Sequence, residues 1–173
     1  MKSVFVSAGH SDTDPGAVAL GRREADIAVE FRNMVAFYLQ RSGIPHELDG
    51  SGTVNLPLAK AAAAARKHPI GVEFHCNAAA SPSATGAECL SAPKDKDLAG
   101  RISSAIALTL GIRDRGAKPE SAGQHHRLAF VQAGGVIVEL FFLTNPSDLA
   151  AYDARKWMAA REVAAVLAGE ARA

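Results

Sequence analysis

Residues 135–146 read GVIVELFFLTNP, and this stretch sets the fold that we predict for the chain. It begins as an apolar run of the β type, and the turn signal Asn145-Pro146 closes it. We therefore expect a strand buried on both faces, with one carboxylate, Glu139, at its end. An unpaired buried carboxylate costs on the order of several kcal/mol, so such a group is normally paired, bound to a metal or protonated. Glu139 therefore predicts a functional site where this strand ends.

Two other apolar runs finish on residues that can bind a metal. Residues 3–9 lead into His10, and residues 70–74 lead into His75. In a parallel sheet, the ligand crevice lies outside the carboxyl ends of the strands. Strands arranged in this way would deliver both histidines and Glu139 to one edge of the sheet. The pattern therefore predicts a metal site at that edge.

The rest of the chain alternates between strands and helices, with no internal repeat and no linker. Strands are predicted at residues 3–8, 44–48, 70–75, 86–91, 126–132 and 136–140, and helices at 22–41, 58–67, 98–111 and 155–169. We expect the last helix to be buried through Trp157, and residues 112–124 to form a surface loop. Such alternation predicts an α/β fold: one domain over residues 1–173, with a mostly parallel central sheet and helices on both faces.

Length, charge and cysteine content narrow the class of protein. A chain of 173 residues suits one domain, and its net charge of +1 predicts no nucleic-acid partner. No apolar run approaches the roughly 18–20 residues of a membrane span, so none is expected. The first residues enter a strand without the apolar core of a signal peptide, so we expect synthesis in the cytoplasm. We also expect a monomer. Cys76 and Cys89 could form one bridge, but free buried thiols are favoured.

A third metal ligand is expected after the first strand, and Glu24, at the start of the first helix, fits. Two histidines and one carboxylate, with an open fourth position, are a recognised catalytic zinc arrangement. Zinc lowers the pKa of its bound water to roughly 7 and polarises a carbonyl oxygen. Glu139 would then act as general base towards the water and as acid towards a leaving amine. The spacing leaves another assignment open, in which Glu139 is the ligand and Glu24 only favours the helix dipole.

Segments in register along the chain resemble the motifs of the zinc-dependent N-acetylmuramoyl-L-alanine amidases of the Amidase_3 type. Residues 7–17 (SAGHSDTDPGA) resemble the opening GHGG-D-GA motif, residues 23–27 (READI) the segment of the glutamate ligand, and residues 73–78 (EFHCNA) the S-I-H-x-N-A strand end. Residues 86–88 (GAE) resemble the G-x-E strand, residues 115–118 (RGAK) the R-G-V-K segment, and residues 138–145 (VELFFLTN) the V-E-x-G-F-L-S-N motif.

The resemblance implies a site, a reaction and a fold. It implies zinc (Zn2+) held by His10, Glu24 and His75, with Glu139 as the catalytic acid and base. The implied reaction is hydrolysis of the amide between the lactyl group of N-acetylmuramic acid and L-alanine in peptidoglycan. The implied partner is therefore a muropeptide, met at the cell wall after release of the protein. The implied fold is a central, mostly parallel sheet flanked by helices.

Replacements of family glycines stand out as departures from the pattern, and some residues keep two interpretations. Ser11-Asp12 stand where the family has a glycine pair, and Phe141 replaces a glycine, which could reshape the loop and the pocket. Asn77 either binds substrate or serves in a turn. Arg115 and Lys118 either meet the carboxylates of a stem peptide or belong to a solvated face. His125 and His126 either contact substrate or are exposed loop residues.

Three classes of function remain open at this level. The first is a peptidoglycan amidase, either a compact phage endolysin or a bacterial enzyme. The second is a zinc hydrolase of the same scaffold that cuts another amide, such as a carboxypeptidase or a deacylase. The third is a non-catalytic module that binds muropeptides, but such a module is expected to have lost a ligand or the base. All of those positions carry competent side chains here.

Overall fold

The computed structural model describes residues 1–123 and 127–173. Its strands are β1 (Val4–Ala8), β2 (Val18–Ala19), β3 (Arg22–Arg23), β4 (His46–Leu48), β5 (Ile70–Asn77), β6 (Ala87–Ser91), β7 (Asp114–Pro119) and β8 (Val136–Phe142). Its helices are α1 (Glu24–Arg41), α2 (Leu58–Ala65), α3 (Lys96–Leu110), α4 (Ala129–Gln132) and α5 (Pro146–Arg172), with short 3-10 turns at Pro93–Asp95 and Glu120–Ala122. Within these ranges, no helix has both the length and the hydropathy needed to cross a membrane.

Six strands form the central sheet, in the order β4-β1-β5-β8-β6-β7. Every neighbouring pair is parallel except β6 and β8, which run antiparallel. The mostly parallel sheet predicted from the alternation of strands and helices is therefore confirmed. In the register of β5 and β8, His75 lies beside Glu139, so the two candidate site residues of these strands are neighbours.

Helices cover both faces of the sheet, as the sequence predicts. On one face, α1, α3 and α5 enclose the larger core, to which β1 contributes Val4 and Val6. On the other face, α2 and α4 enclose a smaller core around Phe5. Successive side chains of a strand point to opposite faces, so one strand serves both cores. Cys76 and Cys89 are free and buried in the larger core, as expected.

The structures predicted for two segments of the chain are wrong. The surface loop predicted at 112–124 contains strand β7, which lies at the edge of the sheet and pairs with β6. Because this strand is half-exposed, its sequence does not have to be a continuous apolar run. The strand predicted at 126–132 is in its described part the single helical turn α4, which buries Phe130 against Phe5 with ring centroids 6.3 Å apart. Short apolar runs fit a strand or a buried helix equally well, so periodicity could not separate them.

The last helix also differs from its prediction. It begins at Pro146 rather than at residue 155, because the Asn145 side chain accepts hydrogen bonds from the Ser147 and Asp148 amides and caps the helix. Trp157 is 51% exposed, so the prediction that it is buried is wrong. Its ring lies across α1 instead, edge-on to Phe37 with centroids 6.0 Å apart.

A buried ion pair fixes the end of β1 against α1. Arg32 and Asp49 are both 0% exposed, and Arg32 Nη1 lies 2.8 Å from Asp49 Oδ1. Arg32 also donates to the carbonyl oxygens of Gly52 and Val54. The loop held in this way includes Asn55, whose side-chain amide donates to the His10 carbonyl oxygen at 2.5 Å. This buried pair therefore helps to position the segment that carries the first histidine.

Replacement of Arg32 by methionine is expected to lower the free energy of unfolding by about 3–5 kcal/mol, because Asp49 would remain buried without its cation. Urea unfolding measures this loss. Arg161→Met is the control, since Arg161 and its partner Glu162 are exposed and such pairs contribute about 0–1 kcal/mol. Equal losses in the two variants would contradict the importance of the buried pair.

Candidate metal centre

The structure brings together the three residues predicted as metal ligands. His10 follows β1, Glu24 is the first residue of α1, and His75 lies in β5. Their ligand atoms all lie within 4.8 Å of one another. Glu24 Oε1 is 3.0 Å from His10 Nε2 and 3.1 Å from His75 Nδ1. The carboxylate thus lies between the two imidazole rings, and the three side chains form a candidate metal-binding triad.

Glu24 is held by the backbone as well as by the rings. Its Oε1 accepts the Cys76 amide at 3.0 Å, and its Oε2 accepts the Ala17 amide at 2.9 Å. Burial raises the pKa of Glu24, but its hydrogen bonds with His10 and His75 outweigh this effect. They hold the pKa of Glu24 well below its usual range. The hydrogen bond with Glu24 in turn raises the pKa of His10. Glu24 is therefore an ionised group of this centre and more than an acid in a first helical turn.

Two glycines allow the groups to approach so closely. A Cβ atom at Gly9 would lie 2.1 Å from His75 Cε1, and one at Gly16 would lie 2.6 Å from both Glu24 Oε2 and His10 Cδ2. Both distances are shorter than real Cβ contacts, so a larger residue at either position would displace these side chains. The loop between them is closed by backbone hydrogen bonds exchanged by Ser11 and Asp14. The positive φ of this turn falls on His10 itself, at 66°, and not on the residues that replace the family's glycine pair.

Glu139 faces the triad from β8. This strand continues to Phe142, so Glu139 lies within it. The prediction that Glu139 stands at the end of the strand is therefore wrong. Its Oε2 atom is buried and has no hydrogen-bond partner among the described residues. Burial raises the pKa of Glu139 to about 7. A carboxyl group in this state can hold or release a proton near neutral pH.

A pocket of about 800 Å³ joins these groups. Its polar lining includes the triad and Glu139. Its apolar lining comes from α2, α4 and the segments beside them (Leu56, Leu58, Leu128 and Phe130) and from Ile137 of β8. Phe141, which replaces a family glycine, is fully buried and stacks on Tyr152 with centroids 4.9 Å apart. Its ring therefore fills the larger core and does not narrow the pocket.

Sequence reasoning gave too little weight to Glu88, which organises the far end of the pocket. Asn77 donates to Glu88 Oε1 at 3.0 Å, while Arg115 Nε and Lys118 Nζ lie 2.6 Å and 3.0 Å from its Oε2. Burial raises the pKa of Glu88, but the bonds from Arg115 and Asn77 lower it below its ordinary value. Its place in the G-x-E segment was the signal that could have identified it. His125 and His126 lie outside the described residues.

Glu73 was also missed, although it lies in the same strand as His75. Its Oε1 is 3.1 Å from His75 Nε2, on the side of the ring that faces away from Glu24. The signal was available, because a second acid in an otherwise apolar strand needs a reason to be buried.

Comparison with known proteins settles the family. Residues 4–168 match the family model of Amidase_3, described as N-acetylmuramoyl-L-alanine amidase. The chain belongs to the Amidase_3 family. The resemblance inferred from the sequence motifs is thereby confirmed over nearly the whole chain.

Relatives of known structure and sequence support this assignment. The chain is 30% identical to the N-acetylmuramoyl-L-alanine amidase LytC of Bacillus subtilis (strain 168) over 154 residues, which are 85% of this chain and 30% of LytC. A crystal structure from Neisseria meningitidis, provisionally described as an N-acetylmuramoyl-L-alanine amidase, is 44% identical with a TM-score of 0.90, covering 98% of this chain and 95% of that one. The catalytic domain of CwlV, an amidase from Bacillus (Paenibacillus) polymyxa, has the same fold (24% identity, TM-score 0.80, 97% and 94% covered). The chain thus spans under a third of LytC but nearly all of the two structures.

Gly16→Ala is expected to weaken the affinity of this candidate centre for a divalent metal ion at least about tenfold, because the new Cβ displaces Glu24 or His10. Competition with a chromophoric chelator measures this affinity. Gly21→Ala is the matched control, since Gly21 has a similar φ of +73° but open space around it. The control carries the backbone strain of about 1–2 kcal/mol without the clash, so a similar loss of affinity there would contradict the steric explanation.

Proposed function

We propose that the protein is a zinc-dependent N-acetylmuramoyl-L-alanine amidase, which hydrolyses the amide between the lactyl group of N-acetylmuramic acid and L-alanine of the stem peptide. The observation that carries the proposal is the pocket in which His10, Glu24 and His75 converge beside Glu139. Membership of the Amidase_3 family supports peptidoglycan as the substrate and the cell wall as the place of action.

The donor atoms of the triad suit zinc. Two imidazole nitrogens and one carboxylate oxygen are a ligand set of catalytic zinc sites, which keep a further position open. All three side chains line the pocket, so that open position would face the substrate. When bound, zinc supplies a Lewis acid that polarises the amide carbonyl and acidifies water.

Glu139 moves the proton in this proposal. With a pKa of about 7, both its carboxylate and its acid form are populated near neutral pH. As a carboxylate it accepts a proton from the water that attacks the amide carbon. As an acid it returns that proton to the nitrogen of L-alanine while the C–N bond breaks. The products are a lactyl carboxylate and a stem peptide with a free amine.

Glu88 and its partners Asn77, Arg115 and Lys118 form a cluster that gives the stem peptide a binding edge. We assign Asn77 to substrate binding because it lines the pocket and its amide is held in place by Glu88. Arg115 and Lys118 share the single carboxylate of Glu88, which leaves this edge with one positive charge in excess. Such an edge favours the carboxylates of a stem peptide.

Mass spectrometry of digested peptidoglycan tests the bond that is cut. Purified peptidoglycan is treated with the protein in the presence and absence of a chelator. We expect free stem peptides that begin with L-alanine, and we expect the chelator to suppress them. Fragments cut elsewhere in the peptide would leave a zinc hydrolase but reject the amidase assignment, and no fragments at all would favour a binding module.

His75→Ala is expected to lose both bound zinc and amidase activity, because it removes one donor of the triad. Metal analysis and the same digestion assay measure the two losses. His68→Ala is the control, since His68 lies outside the pocket and contacts Ser3 and Glu47. Normal turnover by His75→Ala would reject the whole site.

Glu139→Gln is expected to keep its fold and its zinc while activity falls by about 10²–10⁴-fold, because proton transfer is lost and the ligands remain. Metal content and turnover are measured on the same preparation. A stoichiometric loss of zinc in this variant would instead make Glu139 a ligand, the assignment that the sequence left open.

A further inference from the structure

The ring of His75 has a second carboxylate partner, which the proposed reaction does not use. Nδ1 of the ring lies 3.1 Å from Glu24, and Nε2 lies 3.1 Å from Glu73 Oε1. Glu73 comes two residues before His75 in β5 and is only 3% exposed. An imidazole that binds a metal through one nitrogen must carry its proton on the other. A carboxylate at Nε2 accepts a hydrogen bond from the N–H there and so favours the tautomer whose Nδ1 is free to bind the ion.

The other oxygen of Glu73 is held by the neighbouring strand. Ser7, its register partner in β1, has its hydroxyl 3.0 Å from Glu73 Oε2 and 3.1 Å from Asp49 Oδ2. One hydroxyl donates to one acceptor at a time. Asp49 already accepts from Arg32 and from the Ala8 amide, so the Ser7 hydroxyl is available for Glu73. Both oxygens of Glu73 are therefore engaged, and its side chain is fixed.

The charge of Glu73 is balanced only through His75. Asp49 has its own cation, Arg32, but in the parts of the chain that the structure describes His75 is the sole basic side chain within 4.0 Å of Glu73. A buried charge without compensation is strongly unfavourable. Glu24 and Glu73 together place two negative charges against the histidine, which equals the charge of one divalent cation. The other acids at the centre are Asp14, which lies 3.0 Å from His10 and is exposed, and Glu139.

We propose that Glu73 is a positioning residue of the metal centre, which fixes His75 for binding through Nδ1 and adds a buried negative charge beside the ion. This role rests on the proposed zinc centre. It belongs to this chain's own sequence, since Glu73 stands at the serine position of the S-I-H-x-N-A motif that the segment 73–78 resembles. A serine there could accept a hydrogen bond but could not supply the charge.

Zinc affinity of Glu73 variants tests this role. Competition with a chromophoric chelator is expected to show about 10–100-fold weaker binding in Glu73→Gln and Glu73→Ser than in the wild type. The serine variant is expected to lose more, because glutamine can still accept the ring N–H through its amide oxygen. Glu73→Asp keeps the charge and is expected to recover part of the loss.

Glu88→Gln is the matched control. Glu88 is a second buried carboxylate of the same pocket, but its partners are Asn77, Arg115 and Lys118 and it contacts no residue of the triad. We expect this variant to keep the wild-type zinc affinity. An equal loss in Glu88→Gln would mean that any buried acid of the pocket supports the ion, and it would overturn a specific role of Glu73.

A merely structural role is separated by unfolding in urea with and without zinc. If Glu73 positions His75, each tenfold loss of affinity lowers the zinc-induced stabilisation by about 1.4 kcal/mol. A structural role would lower the stability of the two forms equally and leave this difference unchanged. The visible spectrum of the cobalt-substituted protein gives a second readout, because a reoriented ring changes the ligand field in Glu73→Ser.

The outcomes distinguish this role from the zinc centre itself. A wild type that binds no zinc overturns the proposed centre and the role of Glu73 with it. A wild type that binds zinc, together with Glu73→Gln and Glu73→Ser variants that bind it as tightly, overturns the role of Glu73 alone and leaves the amidase assignment intact.

Discussion

The contact between the Glu24 carboxylate and two imidazole rings is the constraint on which the site depends. It joins the loop after β1, the start of α1 and strand β5, because Glu24 meets His10, His75 and the Cys76 amide with a single oxygen atom. A carboxylate tolerates such burial only when its lone pairs are satisfied. The side chain of Glu24 meets that condition through the rings of His10 and His75 and the backbone amides of Ala17 and Cys76, so the fold prepares the centre.

The central strands give two buried carboxylates of the pocket opposite environments. Glu88 and Glu139 are register partners on the antiparallel strands β6 and β8. Glu88 is neutralised by Arg115 and Lys118, whereas Glu139 has a buried oxygen without a partner. Neighbouring acids whose surroundings push their pKa values apart are typical of sites that need one fixed charge and one transferable proton. The one antiparallel pairing of the described sheet, between β6 and β8, therefore serves the chemistry as well as the architecture.

The sequence predicted the centre of the molecule better than its edges. Strands β1 and β5 are buried on both faces, so their apolar runs were unambiguous, and the residues that follow or interrupt them stood out. Strand β7 is polar because it is an edge strand, and its sequence resembles a loop. Trp157 was expected on the buried side of the last helix, but only the packing of α5 on α1 decides which side of a long helix is covered. The contact that holds Glu73 from the neighbouring strand, with Ser7, is one that no pattern within one segment can reveal.

The two histidines of the centre are supported to different degrees. His10 Nδ1 lies 3.0 Å from Asp14, whose side chain is 67% exposed, and His75 Nε2 lies 3.1 Å from Glu73, whose side chain is 4% exposed. Water and salt screen an exposed pair, whereas a buried pair is screened much less. His10 also lies in a turn with a positive φ, while His75 lies in a strand between two neighbours. His75 is therefore held more firmly than His10.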